Sequence, residues 1–130
     1  MLLFFASLPP LYAPNAFAVV ILPEPIENPF MKLWMPVKMV ESANNPLALN
    51  IDEGAYGCSQ ITLVKLIDFN KATGKNYTQQ DCFREDISLE IFLWHCQSYS
   101  NFEQAARRWN GSGKATIEYW RKVSIYLADV

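Results

Sequence analysis

A chain of 130 residues, 51% apolar and 14% aromatic, suits one domain with a real hydrophobic core. Its net charge of -2 lacks the basic excess that marks a nucleic-acid binder, and beyond the N-terminal leader no apolar run reaches the roughly 18 residues of a membrane span. Three cysteines without a Cys-x-x-Cys point to neither a zinc site nor a redox motif.

Residues 1–23 carry no charged side chain. Leu2 to Ala6 is apolar and Ala16-Phe17-Ala18 is a small-x-small site. The expectation is a signal peptide over 1–18, cut after Ala18, and a domain over 19–130 that is exported to the periplasm or cell envelope. Val19 to Pro29 is Pro-rich and reads as an extended lead-in. A helix is predicted from about Phe30 or Leu33 to Ser42, with Leu33, Val37 and Val40 at helical spacing. Pro36 is tolerable there if it falls in the first turn. Glu41 then sits in the last turn, where the helix dipole disfavours an anion. A residue that breaks a local rule is a candidate functional position.

Asn44 to Gly57 reads as a loop or short hairpin, from Asn-Asn-Pro and Glu-Gly. A second helix is predicted from Ser59 to about Ala72, burying Ile61, Val64, Leu66, Ile67 and Phe69, with Gly74 as its C-terminal cap. Thr78 and Asp81 form a capping pair opening another helical segment. Asp86 to Gln97 reads as strongly helical, with Ile87, Ile91, Phe92, Leu93 and Trp94 as core. Ser100 or Asn101 caps a helix ending near Trp109. After the loop Asn110 to Gly113, a last helix runs from Thr116 to Leu127, with Ile117, Trp120, Val123 and Leu127 on one side. Cys82 and Cys96 are the pair available for a disulfide, leaving Cys58 as a buried thiol. The sum is a mainly α protein of about five helices with a short insertion after the first. His95, the only histidine, lies in an apolar helix and reads as packing.

The most informative stretch is Glu41 to Thr62: Glu-Ser-Ala-Asn-Asn-Pro-Leu-Ala-Leu-Asn-Ile-Asp-Glu-Gly-Ala-Tyr-Gly-Cys-Ser-Gln-Ile-Thr. One acid stands at the end of an apolar face, and a Gly-rich turn folds the next segment back beside it. An apolar wall disfavours the charged carboxylate and moves its pKa toward the range of a general acid. The stretch resembles the signature of lytic transglycosylases and goose-type lysozymes, Glu-Ser-x-x-Asn-Pro-x-Ala-x-Ser-x-x-Gly-Ala-x-Gly-Leu-Met-Gln-Ile. Glu41, Ser42, Asn45, Pro46, Ala48, Gly54, Ala55, Gly57, Gln60 and Ile61 match in order. Asn50 stands in place of Ser, one extra residue precedes Gly54, and Cys58-Ser59 replaces Leu-Met. Downstream, Ala105 to Gly111 resembles the family's Tyr-Asn-Gly segment, with Trp109 in place of Tyr. Tyr119 and Val123 fit the pattern of the helix after it.

The resemblance implies an α+β lysozyme-like fold and cleavage of the β-1,4 bond between N-acetylmuramic acid and N-acetylglucosamine in peptidoglycan. It makes Glu41 the acid that protonates the leaving oxygen, then the base that takes the proton of the C6 hydroxyl. That hydroxyl attacks the anomeric carbon and leaves a 1,6-anhydro end. An internal nucleophile makes a second carboxylate dispensable. Asn50, Gln60, Trp109, Asn110 and Tyr119 are the candidate substrate-lining residues, Trp109 by stacking on a sugar face. Asp52 and Glu53 read as solvated loop charges. They are also the candidate second carboxylate of the alternative, a true hydrolase; a silent wall-binding scaffold is the other alternative. No metal or organic cofactor is implied. The expected partners are glycan strands and, by analogy, an envelope-spanning assembly served by a monomer.

Overall fold

The first helix, α1 (Met31–Ser42), forms around a stripe that buries Leu33, Trp34, Pro36 and Val37. Pro36 lies in the second turn rather than the first. Its missing N–H leaves one carbonyl, that of Lys32, without its helical donor, while its ring fills the core. Ala43 and Asn44 then take left-handed backbone, φ 54° and 61°. Their amides close the helix by donating to Met39 O at 3.1 Å and Lys38 O at 3.0 Å. This computed structural model describes Pro23 and residues 25–128. The expected signal peptide lies outside the described residues.

The insertion after α1 is a three-stranded antiparallel sheet in the order β1 (Leu49–Asn50), β2 (Ala55–Tyr56), β3 (Ile61–Thr62). Leu49 lies opposite Tyr56, and Ala55 opposite Thr62. The strand β3 corrects the predicted start of the second helix. Gln60 has φ 58°, outside the helical region, and Ile61-Thr62 pairs with β2, so α2 runs only over Leu63–Thr73. The buried face of α2 is also narrower than expected. Leu66 and Phe69 are buried, but Val64 and Ile67, roughly 160° and 100° around the helix from Leu66, face solvent. Gly74, at φ 76°, ends α2 as expected.

Thr78 and Asp81 do cap each other: Asp81 N–H donates to Thr78 Oγ1 at 3.3 Å and Thr78 N–H to Asp81 Oδ2 at 2.7 Å. The segment they open is a single 3₁₀ turn, Gln80–Phe83, leading into α3 (Glu85–Cys96). Ile87, Ile91 and Phe92 on α3 are buried, while Leu93 and Trp94 are partly buried against the core. Asn101 caps α4 (Phe102–Asn110), its Oδ1 accepting from Gln104 N–H at 2.9 Å. The last helix, α5 (Ala115–Leu127), buries Tyr119 and Val123; Ile117 points outward and Trp120 and Leu127 are only partly covered.

The protein is thus mainly helical, with five α-helices and one small sheet among the described residues. The core fills the space between α1, α3, α4 and α5, with Leu33, Val37, Phe92, Ala105, Ala106, Trp109 and Val123 fully buried. Ala105 and Ala106 let α4 approach its neighbours closely. Lys38, buried on α1, pairs with Glu85 at the start of α3. Trp34 Nε1 donates to the same carboxylate at 3.3 Å.

All three cysteines are free and buried, so Cys82 and Cys96 do not pair. Cys82 precedes α3 and Cys96 ends it. A twelve-residue helix is about 18 Å long, far beyond the roughly 7 Å that a disulfide allows between Cα atoms.

Candidate active site

Glu41 projects from the last turn of α1, beside the start of the loop that carries the sheet. Ser42 fastens that junction. Its Oγ donates to Cys58 O at 2.7 Å and accepts from Asn45 N–H at 3.0 Å. Asn45 Oδ1 in turn accepts from Leu47 N–H at 3.0 Å. The Glu-Ser-x-x-Asn pattern therefore builds the turn that returns the chain beside its acid.

Gly57 is the second fastening. It has φ 85°, and a Cβ there would lie 2.0 Å from the carbonyl oxygen of Cys82. Only glycine lets the β2–β3 turn lie this close to the 3₁₀ segment. The Gly57 N–H donates to Ala48 O at 2.8 Å. Gln60 Nε2 donates to Gly57 O at 3.0 Å and to Ala48 O at 3.4 Å. The amide nitrogen of Gln60, expected to line the substrate, is thus engaged in holding the loop.

Around the carboxylate stand groups from three other helices. Tyr119, buried on α5, donates its hydroxyl to Glu41 Oε2 at 3.2 Å. Trp109 on α4 is fully buried, and its indole N–H donates to Ser59 O at 3.0 Å. Lys65 on α2 holds its ammonium 4.1 Å from the centroid of the Trp109 ring.

Burial dominates the chemistry of Glu41 and pushes its pKa from 4.5 to about 7. The Lys65 ammonium and the Tyr119 hydroxyl oppose that rise, and Glu53 adds to it. The Trp109 N–H, hydrogen-bonded to Ser59 O, adds the weakest downward pull. A carboxyl that changes state near neutral pH can both give and recover a proton there. Burial lowers the proton affinity of Lys65, against the fields of Glu41 and Glu53. The Tyr119 phenol is driven upward by burial and by Glu41, so it stays a donor.

The remaining candidates divide. Asn50, on β1, accepts from Glu53 N–H at 3.3 Å through Oδ1, which shapes the turn. Asn110 ends α4 and is exposed. Trp109 cannot stack on a sugar, which corrects the expectation. It is 0% exposed, with Phe92 and His95 edge-on at 5.1 Å and Lys65 over its ring. It forms the floor beneath the acid instead. The phenol that reaches Glu41 comes from α5, that of Tyr119. Asp52 and Glu53 are exposed. His95 is held neutral by burial, its pKa lowered to about 4.

Sequence reasoning missed Lys65. Its signal was faint: one charge in the apolar run Ile61 to Ile67, four residues after Ile61. Among the described residues no group of three or more His, Cys, Asp or Glu side chains is placed to hold a metal ion. Surface cavities of about 560 Å³ between α4 and α5, about 790 Å³ beside Trp120 and about 500 Å³ beside Tyr56 are not lined by Glu41. Comparisons with protein-family models, with curated proteins and with solved structures gave no match.

Proposed function

We propose that the chain is a peptidoglycan lytic transglycosylase with a lysozyme-like catalytic domain, acting in the cell envelope. It would cleave the β-1,4 bond between N-acetylmuramic acid and N-acetylglucosamine and leave a 1,6-anhydro end. The observation that carries the reading is Glu41: a lone, largely buried carboxyl, touched by a phenol, whose proton is exchangeable near pH 7. Cleavage starts when protonated Glu41 gives its proton to the bridging oxygen, because an alkoxide is too basic to leave unaided. Tyr119 keeps its hydrogen bond as the carboxylate forms. The anion then takes the proton of the C6 hydroxyl, whose oxygen closes on the anomeric carbon. Intramolecular attack needs orientation rather than a second carboxylate.

One observation favours a second reading. Glu53 adds a minor upward pull to the proton affinity of Glu41, well behind burial. A hydrolase could use Glu53 as the carboxylate that activates water. Its exposure and its place in the β1–β2 turn favour the solvated role.

The first test is clearing of purified peptidoglycan by the wild-type protein and by Glu41→Gln. Clearing by the wild type alone is expected. Equal clearing by Glu41→Gln would sink the mechanism, and binding without clearing by either would favour a wall-binding scaffold.

A further inference from the structure

The geometry points to a second binding site. The cleft between Tyr56 on β2 and Phe83 on the 3₁₀ turn takes a neutral N-acetylhexosamine unit of the glycan strand, away from the bond that Glu41 attacks. That the strand is peptidoglycan rests on the function proposed above; the chemistry of the cleft does not.

The sheet builds one wall. Ala48 O accepts from Gly57 N–H, so Leu49 and Tyr56 form the adjacent, non-hydrogen-bonded pair of the ladder. Side chains on one face come closest in such pairs. Ile61 lies opposite Tyr56 on β3. The row Leu49, Tyr56, Ile61 thus runs from 48% exposed at the sheet edge to 1% in the core, with Tyr56 half-buried between. The 3₁₀ turn builds the other wall. Gly57 lets the sheet close on Cys82 O, and beside that contact the Phe83 ring stands 5.4 Å from Tyr56, inclined by 51°. Rings inclined in this way do not cover each other face to face. A cavity of about 500 Å³ opens there, lined by Leu49, Tyr56, Thr78, Gln79, Gln80 and Phe83. The reciprocal Thr78–Asp81 bonds fix its rim, so little ordering is left for a ligand to supply.

None of the six lining residues is charged. A charged ligand would lose water there and gain no counter-charge. A purely apolar ligand would cover the amides of Gln79 and Gln80 without pairing them. Among the described residues, neither amide side chain nor the Tyr56 hydroxyl has a hydrogen-bond partner. A 2-acetamido sugar meets all of these walls. Its C–H face suits an aromatic ring, its acetyl methyl suits Leu49, and its amide and hydroxyls pair with the glutamines and the phenol. An extended peptide is the weaker fit. It would add to the free edge of β1, which has only two residues and offers almost no ladder. The cleft and the acid also share one loop. Cys58, two residues after Tyr56, accepts through its carbonyl from Ser42, the neighbour of Glu41. A polymer of repeating sugars can occupy both, and two contacts on one strand hold it better than either alone.

The test is an NMR titration of backbone amides with chitotetraose, a neutral β-1,4 oligomer of N-acetylglucosamine. It is run in Glu41→Gln, so that nothing is cleaved, and in the same chain with Tyr56→Leu or Gln80→Ala added. Saturable shifts are expected at Tyr56, Gln79, Gln80 and Phe83. The Kd read there should rise about tenfold with Tyr56→Leu and about threefold with Gln80→Ala. No shift at these four residues, or a Kd unchanged in both folded variants, overturns the proposal. Phe83→Leu replaces Tyr56→Leu should that variant not fold, with the same outcomes; Gln80 is exposed, so its loss leaves the core intact. Saturable shifts there with a free stem peptide and none with the sugar overturn it in favour of a peptide site. A wild type that releases no muropeptide overturns the transglycosylase reading, while the titration still decides whether the cleft holds a sugar.

Discussion

Replacing Glu41 with Gln removes a charge that the folded protein holds against its preference. In the unfolded chain the carboxyl has its ordinary pKa of 4.5, and in the folded protein burial raises it to about 7. Between these values the folded state binds more protons than the unfolded one, so Glu41 lowers stability as pH rises from 4.5 through 7. The shift corresponds to about 2–3 kcal/mol at pH 8 after allowance for the solvent that still reaches the group, and to less than about 0.5 kcal/mol at pH 4.5. Gln keeps the shape and still accepts from the Tyr119 hydroxyl. Glu41→Gln is therefore expected to be more stable than wild type by about 2–3 kcal/mol at pH 8 and nearly equal to it at pH 4.5. Urea denaturation at the two pH values reads the difference. Equal stability at pH 8, or the same gain at both pH values, would refute the claim that a buried, reluctant carboxylate stands at this position. Loss of wall clearing in the same variant would join stored electrostatic cost to function.

Tyr119→Phe removes the donor that favours the Glu41 anion. It should raise the Glu41 midpoint by about half a unit and slow cleavage about tenfold, read by NMR titration and clearing rate. Trp109→Ala empties the floor of the site and is expected to cost about 3–5 kcal/mol in denaturant titration; a loss below about 1 kcal/mol would contradict its burial. Gly57→Ala forces a Cβ into the Cys82 carbonyl at a positive φ. It should cost on the order of 3 kcal/mol or more, or abolish soluble expression. Thiol labelling should find no fast-reacting cysteine in the native protein and three after unfolding without reductant. One reactive thiol after unfolding would instead mean a disulfide.

Much of the helical frame was legible because it rests on local rules. The stripe Leu33–Val37, the cap at Asn101, the reciprocal Thr78–Asp81 bonds and the stop at Gly74 each depend on residues within a turn or two. The errors fell where tertiary contacts decide. Ser59 to Thr62 runs into the helix in sequence, but Gln60 turns at positive φ and Ile61-Thr62 pairs with β2. Ile117 matches the periodicity of α5 yet faces solvent, because α1 and α4 cover the side bearing Tyr119 and Val123. The candidate site was half legible. Glu41 and Tyr119 could both be named from the resemblance, but their contact across 78 positions is seen only in the fold. Trp109 could be named but not placed, since an aromatic at a helix end carries no mark of facing inward. Lys65 left only a faint mark, because a lone lysine in an apolar helix reads as surface until the ring beneath it is seen.

The most direct test of the central claim is mass spectrometry of the muropeptides that the protein releases from purified peptidoglycan. Fragments ending in 1,6-anhydro-N-acetylmuramic acid, one water lighter than hydrolysed ends, are expected, and none from Glu41→Gln. Reducing ends throughout would contradict it and assign the chemistry to a water-using hydrolase.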